Sequence, residues 1–100
     1  MEYRTLTGTG SKVSRVCLGT MTFGAQVSEP EAIKMVHRAM DAGVNFIDTA
    51  DIYNNGVAET IVGKALKGKR DGVVLASKVG NRVGPYRFKD EGLSRWHVLL

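Results

Sequence analysis

The sequence predicts an α/β fold in which parallel strands alternate with helices. Two stretches repeat apolar residues with the 3.6-residue period of amphipathic helices. Three short apolar runs precede, separate and follow these stretches, and the connections between them are only a few residues long. Strand–helix–strand units with short connections build a parallel sheet that is covered by its helices.

The composition is that of one ordinary globular domain, with 100 residues of which 43% are apolar and 24% charged. No apolar run approaches the ~20 residues of a membrane helix, and the first residues lack the apolar centre of a signal peptide. We therefore expect a cytoplasmic protein with no membrane partner. The single cysteine, Cys17, excludes an internal disulfide and a multi-cysteine zinc site, and no metal site is predicted. A net charge of +4 is too diffuse to predict nucleic-acid binding.

The chain is expected to begin with a β-hairpin and to continue into a buried strand. Polar and apolar residues alternate from Glu2 to Arg15 on either side of the turn-forming segment Gly8 to Ser11. The apolar run from Val16 to Thr20 then predicts the first strand of the sheet. Within that strand Cys17 is interpreted as a core thiol.

Both predicted helices have recognisable ends. Ser28 and Glu31 have the spacing of a capping box, and Gly43 stands where a C-terminal cap needs a positive φ. The second helix is predicted over Ala58 to Lys67, and Gly68 caps it. The apolar face of the first helix is formed by Ala32, Ile33, Met35, Val36, Ala39 and Met40. The apolar face of the second is formed by Ala58, Ile61, Val62, Ala65 and Leu66.

Two further strands are predicted, from Val44 to Asp48 and from Val73 to Val79. Beyond Gly80 the pattern becomes polar and irregular as far as Glu91. The last nine residues contain the cap-like Ser94, which predicts the beginning of a third helix. The apolar residues of that final segment are Trp96, Val98, Leu99 and Leu100.

Three titratable side chains are expected to meet at one edge of the predicted sheet. Asp48 ends the second strand, and Lys78 follows 30 residues later near the end of the third, which is the length of one βαβ crossover. The carboxyl ends of adjacent parallel strands share the edge at which α/β folds place their sites. Tyr53 lies in the loop after Asp48 and can fold back over the same edge.

Such a triad suits proton donation to a carbonyl oxygen. An ammonium beside a phenol stabilises the phenolate, so Lys78 would make Tyr53 a better acid. Asp48 would hold the lysine protonated and aimed through a charge-assisted hydrogen bond. None of the three side chains carries electrons, so a hydride donor must come from a cofactor. Taken singly, the three also have ordinary interpretations as a loop carboxylate, a loop aromatic and a solvated cation.

The segments that contain these residues resemble the signature sequences of the aldo-keto reductases. The segment Gly43 to Tyr53, followed by Glu59 and Gly63, is similar to the family's signature, and Ala76 to Gly80 is similar to its lysine strand. The resemblance implies that Tyr53 is the general acid and that Asp48 and Lys78 tune it. It also implies a nicotinamide-binding set, formed by Gly19, Thr20, Met21 and Asp48.

The same resemblance implies a (β/α)8 TIM barrel that binds NADPH, with NADH as the other candidate, and reduces small aldehydes and ketones. Residues 1–100 would then be a single incomplete domain, with the hairpin over 1–15 and the first three β/α units over 16–100. A complete barrel needs ~250 residues, so the chain is expected to be truncated. The family's catalytic histidine is expected beyond residue 100, and His97 is not interpreted as that residue.

Two other classes of nicotinamide-dependent protein fit the sequence poorly, and one interpretation without catalysis remains open. The Gly8-Thr9-Gly10 segment matches a dinucleotide-binding fingerprint poorly, because neither the third glycine nor a strand before and a helix after it is present. Tyr53 also lacks the lysine four residues later that short-chain dehydrogenases require. An inactive fragment, or a regulatory domain that binds cofactor without catalysis, is the serious rival. His37 is interpreted as a surface or helix-packing residue.

Overall fold

A computed structural model describes residues 1–86 and 91–99 of the chain. Part of the irregular segment predicted after Gly80, and Leu100 of the predicted third helix, therefore lie outside the described residues. Two 3-10 turns, Tyr53–Gly56 and Arg70–Gly72, flank the second helix. The strands and α-helices among the described residues are β1 (Tyr3–Thr5), β2 (Lys12–Ser14), β3 (Leu18–Gly19), α1 (Glu29–Asp41), β4 (Phe46–Asp48), α2 (Val57–Ala65), β5 (Val74–Ala76) and α3 (Arg95–Val98).

The N-terminal hairpin forms as the alternating pattern predicts. β1 and β2 pair antiparallel, with Tyr3 opposite Ser14. The hairpin is attached to the residues that precede β4: the Tyr3 hydroxyl donates to the carbonyl of Gly43 at 2.7 Å, and the backbone N–H of Ser14 donates to Asn45 Oδ1 at 2.7 Å. These bonds place the hairpin at the amino end of the sheet, so the carboxyl end stays open.

The predicted parallel sheet is confirmed, with β4 in the centre and β3 and β5 on either side. Leu18 of β3 pairs with Ile47, and Ile47 pairs in turn with Leu75 of β5. Because side chains alternate between the faces of a strand, these three residues share one face. The next position of β4, Asp48, therefore belongs to the opposite face and lies at the carboxyl end.

Both long helices pack on the face that carries Ile47. Helix α1 begins at the predicted cap, where the Ser28 hydroxyl accepts a hydrogen bond from the backbone N–H of Glu31 at 3.5 Å. His37 packs between the helices, with its Nε2 2.8 Å from the carbonyl oxygen of Ala65. The buried residues that form the core are Phe23, Ala32, Val36, Ile47, Ala58, Ile61, Val62, Ala65, Leu66 and Val73.

The prediction that Cys17 is a core thiol is wrong, because the side chain is exposed. Val16 is also 55% exposed, and the strand is limited to Leu18 and Gly19 rather than the run from Val16 to Thr20. Cys17 precedes Leu18 and so points to the face opposite the helices. The buried core lies on the side of Leu18, so an apolar run does not by itself bury every member.

Other details also differ from the predictions, and strand β4 begins at Phe46 rather than at Val44. Met35 is 42% exposed and lies off the packed face of α1, because the face that contacts the core is narrower than the apolar stripe. Helix α2 ends at Ala65, two residues before the predicted end. Strand β5 ends at Ala76 rather than at Val79, opposite the end of its parallel partner β4, and beyond Ala76 only single backbone bonds continue the pairing as far as the carbonyl of Lys78.

The C-terminal segment forms the predicted helix start. The Ser94 hydroxyl accepts a hydrogen bond from the backbone N–H of His97 at 3.1 Å, which places His97 in the first turn of α3. Trp96 and Leu99 are exposed, whereas His97 is 6% exposed. Within the part of the chain that the structure describes, no helix combines the length and the apolar character that a membrane crossing requires.

Candidate active site

Asp48 reaches the carboxyl edge of the sheet because it is the last residue of the central strand. Its backbone carbonyl accepts two hydrogen bonds from Thr20, one from the N–H and one from Oγ1, each at 3.1 Å. Thr20 is fully buried. The backbone at the end of β4 is therefore fixed on one side, while the Asp48 carboxylate stays on the open face and remains 35% exposed.

Lys78 lies two residues beyond β5, yet the strand pairing continues as far as its carbonyl. The backbone N–H of Thr49 donates to the carbonyl of Ala76 at 2.8 Å, and the N–H of Asp51 donates to the carbonyl of Lys78 at 3.3 Å. Ala76 pairs with Asp48. Lys78, two positions further along an extended chain, returns to the face on which Asp48 lies.

Tyr53 is brought over the same edge by a tight turn. Directly after it, Asn54 and Asn55 adopt left-handed backbone angles, with φ of 53° and 52°, and Gly56 follows at φ 91°. Asparagine is among the few residues with a side chain that adopt this region readily. Helix α2 begins directly after this turn, at Val57, and the phenol stays at the mouth of the sheet, in contact with Lys78.

The three side chains predicted to converge do converge. Lys78 Nζ donates hydrogen bonds to Asp48 Oδ2 at 2.7 Å, to the carbonyl oxygen of Thr49 at 3.0 Å and to Tyr53 Oη at 3.1 Å. The ammonium also lies 4.9 Å from the centre of the Tyr53 ring. A lysine ammonium has three N–H groups, and all three have partners here. The direction of the ammonium is therefore set from three sides.

The electrostatics of the site favour a charged lysine. The hydrogen bond to Asp48, and after it the hydrogen bond to Tyr53, raise the pKa of Lys78 above its ordinary value, and together they outweigh the opposite effect of desolvation. Lys78 is consequently an ammonium throughout the neutral range. Its side chain is 50% exposed, so the site is open to solvent and to a ligand.

The residues predicted to contact a nicotinamide lie beside this triad. Gly19 pairs with Asp48 across the sheet, and a Cβ atom at Gly19 would find nothing within 4 Å. Met21 is 67% exposed, whereas the side chain of Thr20 is buried beneath the edge. The structure thus presents Gly19 and Met21 on an open surface at the carboxyl end, and it places Thr20 under that surface as a support.

Sequence reasoning missed three features of the site. The Thr49 carbonyl is an acceptor for Lys78, and a backbone carbonyl has no sequence signal. The Ser77 hydroxyl donates a hydrogen bond to Glu59 Oε1 at 2.5 Å. His97, 6% exposed, has no hydrogen-bond partner on either ring nitrogen among the described residues. No local pattern links Ser77 to Glu59. The position of His97 in the first turn of a capped helix was the one available signal.

Ser77, Glu59 and His97 help to line a cavity of about 350 Å³ next to the triad. His97 Nε2 lies 3.8 Å from Asp51 Oδ2, so the imidazole faces a carboxylate of the loop that leads to Tyr53. The cavity is lined by Asp51, Glu59, Ser77, Lys78, Val79, His97 and Val98.

Comparison with known proteins assigns the family. The model of the Aldo/keto reductase family matches residues 15–97, and the chain therefore belongs to this family. Members are oxidoreductases, which agrees with the resemblance identified in the sequence.

Two curated relatives and one solved structure illustrate the similarity. The uncharacterized oxidoreductase YrpG of Bacillus subtilis is 49% identical over 86 residues, which are 79% of this chain and 26% of that protein. A probable voltage-gated potassium channel subunit beta of Oryza sativa is 40% identical over 105 residues, covering 99% of this chain and 31% of that protein. The holo form of the aldo-keto reductase AKR11C1 from Bacillus halodurans matches with a TM-score of 0.76 and 40% identity, over 92% of this chain and 29% of that chain. The chain thus spans about a quarter to a third of these proteins' length.

Proposed function

We propose that the protein reduces aldehydes or ketones to alcohols with a nicotinamide cofactor and that Tyr53 is the general acid. NADPH is the preferred candidate for the cofactor, and NADH is the second. The observation that carries the proposal is the 3.1 Å contact between Lys78 Nζ and Tyr53 Oη. The same ammonium is bonded to a carboxylate at 2.7 Å. An open site with a phenol, an ammonium and a carboxylate in contact is suited to giving a proton to a small carbonyl substrate.

In this mechanism the residues of this chain donate the proton and stabilise the charge that is left behind. Tyr53 donates its hydroxyl proton to the carbonyl oxygen of the substrate as negative charge develops there. Lys78 stabilises the phenolate that remains, and Asp48 keeps the ammonium directed at the phenol. A nicotinamide cofactor supplies the hydride when it is bound.

The residues at the carboxyl edge fit such a cofactor. The surface at Gly19 is free of side chains, because a Cβ there would meet no atom within 4 Å. Met21 adds an exposed apolar side chain, and Asp48 lies in the neighbouring strand. We propose that Gly19, Thr20, Met21 and Asp48 hold the nicotinamide, with Thr20 acting from below through its bonds to the Asp48 carbonyl.

The proposed complete architecture is a (β/α)8 barrel, of which this chain supplies one incomplete domain. Residues 1–15 form the hairpin, and residues 16–100 would contain the first three β/α units. Strands β3 and β5 each pair with one neighbour only among the described residues, and on the face opposite the core the side chains of Asp48 and Lys78 are 35% and 50% exposed. Closure of the sheet into a barrel would pair both edges and turn this face inward.

A second candidate function is regulatory, without turnover. The relative from Oryza sativa is aligned over 99% of this chain and is named a probable voltage-gated potassium channel subunit beta. That name describes a subunit of a channel rather than an enzyme. The two functions share a site that binds cofactor and differ in whether Tyr53 transfers a proton. Carbonyl reduction by the protein is therefore the measurement that separates them.

The test measures oxidation of NADPH and of NADH by the protein that carries this chain, with a panel of small aldehydes and ketones. We expect reduction with NADPH and a loss of at least about 100-fold in kcat for Tyr53→Phe, because general acid catalysis contributes about 10²- to 10⁴-fold. The matched control is Tyr3→Phe, which removes a hydroxyl bonded at the opposite end of the sheet. Equal turnover by wild type and Tyr53→Phe would contradict the proposed role.

A further inference from the structure

One hydrogen bond connects the two segments that carry the proposed acid and its lysine. Ser77, the neighbour of Lys78, donates its hydroxyl proton to Glu59 Oε1 at 2.5 Å. Glu59 lies in the first turn of α2, and α2 begins directly after the turn that carries Tyr53. The bond therefore joins the backbone next to Lys78 to the helix end next to Tyr53.

The segment around Lys78 needs this support. It lies beyond the end of β5, and Ser77, Lys78 and Val79 are all exposed. The backbone bond that continues the sheet to this point, from the Asp51 N–H to the Lys78 carbonyl, is 3.3 Å long, which is beyond the usual range. A carboxylate acceptor makes the Ser77 bond stronger than one between neutral groups.

We propose that Glu59 is a positioning residue for the proposed reaction, because by holding Ser77 it fixes the distance between Lys78 Nζ and Tyr53 Oη. The inference rests on the proposed function. The hydrogen-bond partners of Lys78 Nζ are Asp48, Thr49 and Tyr53 rather than Glu59, and the groups that raise the pKa of Lys78 are Asp48 and Tyr53. The effect of Glu59 is therefore geometric. Displacement of a catalytic group by about 1 Å can lower a rate up to about 10²-fold.

The carboxylate of Glu59 also has a general role, because acidic residues in the first turn stabilise a helix through its dipole. Helix α1 provides the matched control, since Glu31 lies in its first turn and is exposed. Glu31→Ala removes a helix-start carboxylate of the same type without touching the site. If Glu59 has a specific role, Glu59→Ala must lower kcat more than Glu31→Ala does.

The experiment compares Glu59→Ala, Ser77→Ala and their double variant with wild type. We expect each single change to lower kcat about 10-fold while KM for the carbonyl and Kd for NADPH stay within about threefold, because positioning acts on the reacting geometry. The double variant is expected to be no slower than the slower single, since both remove one bond. Glu59→Gln and Ser77→Thr keep an acceptor and a donor, and both should retain most of the wild-type kcat.

A measurement that needs no catalysis tests the bond between Ser77 and Glu59 independently of the proposed function. Hydrogen exchange of the Asp51 amide, which bonds to the Lys78 carbonyl, should be faster in Glu59→Ala and in Ser77→Ala than in wild type and Glu31→Ala. Unchanged exchange at Asp51, or losses of kcat that multiply in the double variant, would overturn the inference. If Tyr53→Phe turns over like wild type while this exchange is faster, the proposed function fails and the structural link stands.

Discussion

Replacement of Lys78 by methionine separates the chemistry of the site from its stability. Methionine keeps the length of the apolar side chain but removes the ammonium, and with it the bonds to Asp48 Oδ2 at 2.7 Å, to the Thr49 carbonyl at 3.0 Å and to Tyr53 Oη at 3.1 Å. The phenol then loses the neighbouring positive charge that stabilises its ionised form. Lys78 supports the acid rather than being it, so we expect kcat to fall about 10²- to 10³-fold, in the lower part of the range for general acid catalysis.

The structure contains a matched ion pair for comparison. Lys64 Nζ lies 2.8 Å from Glu29 Oε1, and the two side chains are 56% and 42% exposed. The pair of Lys78 with Asp48 has a distance of 2.7 Å and side-chain exposures of 50% and 35%. Since exposed ion pairs contribute little to stability, Lys64→Met and Lys78→Met should lower the melting temperature by similarly small amounts.

The assay is NADPH oxidation with the best carbonyl substrate, measured beside thermal melting and cofactor binding for both variants. We expect Lys64→Met to keep the wild-type kcat and Lys78→Met to lose it, while both bind cofactor and melt alike. A Lys78→Met protein with a kcat within about threefold of the Lys64→Met protein would refute the role of the ammonium, since general acid catalysis contributes about 10²-fold or more.

Three other outcomes follow from the structure. Gly24→Ala should destabilise the protein by about 1–3 kcal/mol more than Gly8→Ala in denaturant unfolding, because both positions have φ near +80° but only the Cβ at Gly24 would lie 2.5 Å from Val57 Cγ1. Equal losses would show that strain at positive φ accounts for both. Ile47→Ala should cost about 2–5 kcal/mol in the same assay, because Ile47 is 1% exposed. The raised pKa of Lys78 means that its stabilising interaction is complete below the unfolded lysine pKa and is lost as the pH rises through the folded value. The stability difference between wild type and Lys78→Met should therefore be constant at neutral pH and shrink in alkali, and a difference that grows in alkali would contradict this.

The elements of the fold were predictable from sequence patterns within single segments. The serine cap before α1 and the apolar periodicity of α2 lie within single segments, and each element they predict is present. The convergence of Asp48 and Lys78 followed from one topological rule, that parallel strands joined by a crossover end at the same edge. That rule needs no detail of packing, so a single sequence was enough for it.

The burial predictions that failed depend on which face of a strand or helix packs against the core. Cys17 and Leu18 are neighbours in one apolar run, yet Leu18 packs against the core and Cys17 is exposed. Met35 is exposed for the same reason, because it lies at the border of the packed face of α1. The bond between Ser77 and Glu59 joins residues 18 positions apart, and no local pattern reports such a contact.

The most direct test of the account is the rate of hydride transfer in a single turnover, started by mixing the protein preloaded with NADPH with a carbonyl substrate. We expect Tyr53→Phe to bind NADPH with unchanged affinity and to transfer hydride at least about 100-fold more slowly than wild type, because the substrate oxygen then lacks its proton donor. A Tyr53→Phe protein that transfers hydride at the wild-type rate would contradict the assignment of the phenol as the acid.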